Sequence, residues 1–307
     1  MNPPTDNFAA RPEPPDVLKH LADSLDTGWK RYRKRLKRCQ ASFSEDAVHQ
    51  SRVQTRRLLS TVELLGAFIP ESKIKKVRTA LKTHLDTFDK LRDTQVQLVY
   101  MAHMTESFPV ARDFRDWLQK RETRFTRETR KAISRIKTKR TGRRISAFGK
   151  EIRRRRKQMS RAAAFSCLRL AMNRAFARVA QLCRRVRAQD TETIHRTRVA
   201  FKRFRYMVEA LSPLLPAVTD EHRRAMHGYQ SMMGDIQDVE VLIATLEKFV
   251  RHGKIHTKHA CALLEELRHR RKWLIRVYVN AADKLRQFWP IQKLAPAAQK
   301  VKLEPKT

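Results

Sequence analysis

Two stretches that lie 146 residues apart carry the same pattern, and this repetition constrains the fold more than anything else in the chain. The first reads VHQSRVQTRRLLSTVELL from Val48 to Leu65. The second reads IHRTRVAFKRFRYMVEAL from Ile194 to Leu211. At a constant offset of 146, His49 meets His195, Arg52 meets Arg198, Val53 meets Val199 and Arg56 meets Lys202. Arg57 meets Arg203, Glu63 meets Glu209 and Leu65 meets Leu211. At an offset of 145, Arg78 meets Arg223, Leu91 meets Ile236, Asp93 meets Asp238 and Val96 meets Val241. So many matches, ungapped within each segment, mark an internal duplication.

The repeated unit is helical. Glycine is scarce, at 7 of 307 residues, which leaves few of the tight turns that sheets need. Apolar positions recur with helical spacing, and no strand-like alternation of useful length occurs. The pattern predicts helices near 16–40, 44–69, 72–104 and 109–140, then near 160–187, 191–212, 219–251 and 255–286. Ser44 is a good N-cap, with Glu45 and Asp46 in the first turn where the helix dipole favours acids. Four helices per half predict an all-α protein of two four-helix bundles around a pseudo-twofold axis. The expected domain spans 16–290: a first half at 16–140, a basic linker at 141–158 and a second half at 159–290. Residues 1–15 are rich in proline and polar groups and read as a disordered tail, and 291–307 as a flexible one.

Charge narrows the partner. With 68 Lys and Arg against 31 Asp and Glu, the net charge is +37, and such self-repulsion calls for a polyanion. DNA, RNA, an anionic membrane surface and another phosphate polymer all meet that need. No apolar run reaches the length of a membrane span, so no insertion is expected. The N-terminus lacks the apolar stretch of a secretory signal, and Cys39, Cys167, Cys183 and Cys261 are scattered, as in a reduced cytoplasmic protein.

Placement of the charges narrows it further. At 100° per residue, His49, Arg52, Arg56 and Glu63 fall within about a 60° sector. Leu58, Leu59, Val62 and Leu65 occupy the neighbouring sector, which must face the core. His195, Arg198, Lys202 and Glu209 repeat the stripe, joined by Arg205. A stripe at the border of a buried face is placed to line a groove between helices, whereas a solvated face would lie opposite. Glu63, Glu209, Asp93 and Asp238 are expected to hold stripe arginines in place.

The doubled H-x-x-R-V-x-x-[RK]-R helix, followed by the LRDTQV and IQDVEV segments, resembles the CHAD family, the conserved histidine α-helical domain. The resemblance covers about residues 16–288. It implies two antiparallel four-helix bundles enclosing a basic central channel, and binding of inorganic polyphosphate, with association to polyphosphate granules. By position it implies ligand-facing His49, Arg52, Arg56 and Arg57, with His195, Arg198, Lys202, Arg203 and Arg205. Arg78 and Lys82 join from the next helix of the first half, with Arg223 and His227 in the matching places of the second. Two departures stand out. Leu59 replaces the basic residue that the second half keeps as Arg205, and Asp89 takes the place of Gly234.

Catalysis is not expected. No P-loop, G-x-S-x-G, H-E-x-x-H or Rossmann pattern occurs, nor the E-x-E-x-K signature of the triphosphate-hydrolysing domain to which the family can be fused. His252, His256 and His259 lack a nearby carboxylate or cysteine, so neither a metal nor another cofactor is expected. A nucleic-acid-binding protein is the alternative reading. Arg124 to Lys157 holds sixteen basic residues and two acids, Glu128 and Glu151, and would serve as its surface. Trp29, Trp117, Trp273 and Phe204 read as core, not as platforms for bases. Oligomeric state is left open.

Overall fold

The computed structural model describes residues 13–136, 138–253 and 257–290, so the expected tail at 291–307, and the expected tail at 1–15 as far as residue 12, lie outside the described residues. The described residues form ten α-helices and no strand. They are α1 (Val17–Ser42), α2 (Glu45–Leu64), α3 (Glu71–Asp86), α4 (Asp89–Ala102) and α5 (Val110–Ser134). There follow α6 (Thr138–Arg156), α7 (Arg161–Cys183), α8 (Thr191–Leu211), α9 (Asp220–His252) and α10 (Thr257–Ala281).

Local signals set many of the boundaries. Ser44 caps α2 by accepting the Ala47 N–H at 3.3 Å, and Thr219 caps α9 by accepting that of His222 at 3.1 Å. Asp16 and Ser160 do the same for α1 and α7. α1 ends at Phe43, whose φ of 53° directs its N–H back to the Cys39 carbonyl at 2.9 Å.

Two differences from the sequence expectation bear on the site. The stretch expected as one helix over 72–104 is two, α3 and α4, broken at Thr87 and Phe88. Its counterpart α9 runs unbroken for 33 residues. The cause is Arg52. Its guanidinium donates to the Leu85 carbonyl at 2.7 Å, the same oxygen that accepts the Phe88 N–H at 3.0 Å. A side chain inserted into the backbone ladder is a recognised cause of a helix break.

The second difference concerns the arginine-rich segment. Most of 141–158 lies within α6, which runs antiparallel along α1. Gly142 admits the Trp29 ring, 3.0 Å from where a Cβ would stand. Ile145, Phe148 and Ile152 are buried on the face toward α1. Arg153 bonds Asp26, and Arg156 bonds Asp16 at 2.6 Å. Part of the run is thereby neutralised within the molecule.

α2 and α8 form the centre. α1 and α3 pack on α2; α7 and α9 pack on α8; and α2 and α8 touch directly. α4, α5, α9 and α10 pack together at the far end, while Tyr32 of α1 hydrogen-bonds the buried His84 of α3. Leu58, Val62 and Leu65 are buried as expected, and Leu59 is half-buried against the same core. Trp273 departs from expectation: it is 44% exposed, with the Arg270 guanidinium over its ring at 4.4 Å.

Burial and ion pairing on α6 are separable. Phe148→Ala should lower the free energy of unfolding in urea by about 3–5 kcal/mol, because the cavity is internal. Arg153→Ala, which breaks an ion pair of half-exposed groups, should cost under about 1 kcal/mol. Equal costs would mean that charge, not apolar contact, holds α6 to α1.

Candidate functional site

The predicted residues gather about the crossing of α2 and α8, in three groups. The first lies toward α4 and α9. Arg52 and Arg56 come from α2, and Arg198 and Lys202 from α8. Arg52 is 7% exposed and spoken for: besides the Leu85 carbonyl, it pairs with the Asp89 carboxylate at 2.7 Å. Arg198 differs. Its Nε is buried and has no hydrogen-bond partner. Burial, then the charge of Arg52, lowers the Arg56 pKa to about 10. Burial, then Arg56 and Arg198, lowers that of Lys202 to about 6. These are marks of cations crowded together with too little counter-charge.

The carboxylates opposite are desolvated as well. Asp93 is raised to about 6, by burial and then by Asp89. Asp238 and Asp235 are raised too, each by burial first. Yet all three are exposed to solvent. Groups that water reaches while protein surrounds them line a concavity. Asp93 and Asp238 were expected to anchor stripe arginines; they act on Arg52, Arg198 and Lys202 only at longer range, and Asp89 makes the ion pair.

The second group surrounds Glu63, which is 9% exposed. Arg203 reaches it from α8 at 2.5 Å, and Arg78 from α3 at 3.9 Å. Burial raises the Glu63 pKa, while Arg203, Arg78 and the exposed Lys82 pull it down. Arg78 also forks onto Glu71 at 2.7 and 3.1 Å, which raises its own pKa.

The third group is the counterpart on the opposite side. Glu209 of α8 faces Arg57 of α2 at 4.0 Å and bonds Arg205. Arg205 is 5% exposed, donates from Nε to Gln230 at 2.8 Å, and lies over the Tyr206 ring. Arg57, Arg205, Arg223 and His227 line a pocket of about 680 Å³, together with Arg31 and Arg224, which the sequence reading did not single out. Arg223 also pairs with Asp220. The ion pairs Arg203–Glu63 and Arg57–Glu209 join residues that the offset of 146 exchanges.

The two histidines have different surroundings. His195 bonds Gln237 of α9 through Nδ1. At an offset of 145, Gln237 corresponds to Arg92, which pairs with Glu45 beside the exposed His49. Partial desolvation, then Arg92, lowers the His49 pKa. Within 4 Å of the notional Cβ of Gly234 lie only atoms of Arg198, the nearest being Nε at 3.7 Å. Asp89 holds the matching place and fills it with a carboxylate. In the sequence the signal of this pairing is the Asp for Gly replacement four residues before Asp93, which does not by itself name the partner.

Among the described residues, no group of three or more His, Cys, Asp or Glu is placed to hold a metal; His256 and the side chain of His259 lie outside them. What the arrangement offers is arrayed guanidinium and ammonium groups. These suit an anion of repeating unit better than any proton transfer.

Comparison with known proteins bears on the fold and the family. No curated protein matches the chain. Among solved structures, the crystal structure of the CHAD domain from the plant Ricinus communis superposes with a TM-score of 0.61 at 18% identity, covering 92% of this chain and 93% of that one. PptA from Streptomyces chartreusis superposes at 0.59 with 15% identity, covering 88% of this chain and 99% of that one. Both show the fold. The model of the CHAD domain matches residues 23–247, well over half of the sequence, and the chain belongs to the CHAD domain family.

Proposed function

We propose that this protein captures inorganic polyphosphate, without turning it over, in a basic channel at the α2–α8 crossing. The observation that carries this reading is the buried Arg198 Nε without a partner, amid Arg52, Arg56 and Lys202. A buried donor without an acceptor is costly, and a bound anion removes the cost. The CHAD family binds polyphosphate, which fits a site of arrayed cations without base-reading geometry. The reciprocal Arg203–Glu63 and Arg57–Glu209 pairs support a pseudo-twofold through this crossing, and hence two related bundles of four helices each. The domain is proposed to span 16–290 as two halves, 16–140 and 159–290, joined through 141–158.

In this reading His49, Arg52, Arg56, Arg198, Lys202 and His195 line the channel toward α4 and α9. Arg57, Arg205, Arg223 and His227 extend it on one side, and Arg78, Lys82 and Arg203 on the other. A cytoplasmic location on polyphosphate granules follows from the family's ligand. No described helix is long and apolar enough to cross a membrane. A nucleic-acid-binding role has one supporting observation: Arg124, Arg127, Lys131, Lys139, Arg140 and Arg143 expose basic side chains on α5 and α6, outside the channel. Competition between long-chain polyphosphate and duplex DNA at equal phosphate separates the two. DNA winning at fixed salt would overturn the polyphosphate reading.

Chain length and salt test the channel. Long-chain polyphosphate should bind at least about a hundredfold more tightly than orthophosphate, because many weak contacts act on one chain. Its affinity should fall steeply with salt as counterions are released. Arg56→Ala with Lys202→Ala should weaken binding about tenfold or more, at about 1.5–3 kcal/mol for each charge-assisted hydrogen bond before the flexible ligand finds other cations. An unchanged affinity in calorimetry would remove these residues from the site.

The Lys202 pKa gives a pH dependence. Free, the ammonium is held near 6, against an ordinary 10.5, so the amine is neutral at pH 7 to 8. A polyanion beside it favours the charged form, so binding takes up a proton. Affinity should therefore fall as pH rises from about 6 to about 8, by at most about tenfold per unit for one proton. Lys202→Arg, which keeps its charge throughout, should flatten this slope. An unaltered slope would assign the proton to another group.

The same shift affects folding with the opposite sign. The unfolded chain holds the Lys202 proton up to about 10.5 and the folded chain only to about 6. This group's contribution to stability therefore improves as pH rises between those values.

A further inference from the structure

The two halves present the same arginine in opposite states. Arg52 and Arg198 correspond at the offset of 146, and each extends toward the helix that follows. Arg52 meets a carboxylate there. Asp89 stands in the first turn of α4 and holds the Arg52 Nη2 at 2.7 Å, while Nη1 donates to Leu85 at 2.7 Å. Arg198 meets Gly234, which has no side chain to offer, and its buried Nε is left without an acceptor. Asp89 and Gly234 themselves correspond at the offset of 145.

We infer that Asp89 is a built-in substitute for a phosphate group: it occupies the anion site of the first half, and leaves Arg198 beside Gly234 as the place where the ligand is gripped. This rests on the polyphosphate reading and goes beyond it, because a twofold arrangement by itself would make both halves equivalent. The Asp89 carboxylate carries the same sign as a phosphate oxygen and accepts from the same guanidinium. It is tethered, so it competes at a high local concentration that a free ligand must exceed. A phosphate displacing it would also leave Asp89 close to the incoming anion, where like charges repel.

Neighbouring differences act in the same direction. Arg92 stands where the second half has Gln237, and spends its charge on Glu45. Leu59 stands where the second half has Arg205. Arg205 is itself buried and bonded to Glu209, so it adds little free charge, and the second half is left with the open arginine and the bonded histidine. Its grip on a short anion is therefore the stronger one. A long chain, once held there, continues past Arg56 and Lys202 toward an already neutralised Arg52.

The exchange of one side chain tests this. Tripolyphosphate, short enough to report on a local grip, is titrated calorimetrically into the full chain at fixed salt. Asp89→Asn keeps the shape and removes the charge, and should tighten binding about tenfold by freeing Arg52. Asp86→Asn removes the same charge from an exposed residue at the end of α3 without freeing Arg52, and should gain about twofold at most. Gly234→Asp gives Arg198 its own carboxylate and should weaken binding about tenfold or more. Gly234→Ala adds the Cβ without the charge, and should stay within about twofold of the parent. Adding Asp89→Asn to Gly234→Asp should restore binding, now at Arg52. Circular dichroism checks that each variant is folded. Equal gains from Asp89→Asn and Asp86→Asn would overturn the inference, as would equal effects of Gly234→Asp and Gly234→Ala. Failure of the parent protein to bind polyphosphate of any length would instead overturn the functional reading itself.

Discussion

Everything about this site depends on four cations held at one helix crossing. Arg52 and Arg56 on α2 approach Arg198 and Lys202 on α8, and their charges add in a place where protein displaces most of the water. Repulsion in such a place is strong, because the local dielectric is low. Three of the four differ in how that repulsion is met. Arg52 takes a carboxylate and a backbone carbonyl, Lys202 gives up its proton above about pH 6, and Arg198 keeps an unfilled donor. Under the proposed function, that unfilled donor is where the polyanion would be held.

The surrounding helices make that crowding sustainable. Glu63 and Glu209 sit on either side of the crossing, and each draws an arginine from the opposite helix. These pairs absorb the outer cations of both stripes and leave the inner four facing α4 and α9. The apolar residues Leu58, Val62, Phe201, Phe204 and Val208 on the buried faces of α2 and α8 hold the backbones in place against the repulsion. Packing and charge thus divide along the helix surface: one sector packs, and its neighbour is charged.

The break between α3 and α4 belongs to the same account. Arg52 enters the ladder at Leu85 and the helix restarts at Asp89, where an acid suits the N-terminal end of the dipole. α9 has no such intrusion and stays continuous. One Asp for Gly exchange thus accompanies both a local change of backbone and a change of charge at the site. The arginine-rich segment teaches a related lesson. Its length and charge suggested a linker and an outer surface, whereas Ile145, Phe148 and Ile152 make α6 part of the packed body.

Periodicity and repetition made the all-helical class, the cap at Ser44 and the charged stripes legible in the sequence. These are local properties: a residue's helix face follows from its position and the helical repeat alone. The partner of each side chain was not legible. Glu63 meets Arg203 from 140 positions away, and Arg52 reaches Leu85 across 33. Asp89 was visible as an irregularity, while Asp93 and Asp238 drew attention because they matched. Trp273 kept a helical apolar spacing and still reached the surface, because spacing does not say which face the neighbours cover. By itself the sequence determined which charges share a helix face and that they recur. Only the tertiary structure decided which of them are neutralised and which are left open, because that depends on distances between helices far apart in the chain.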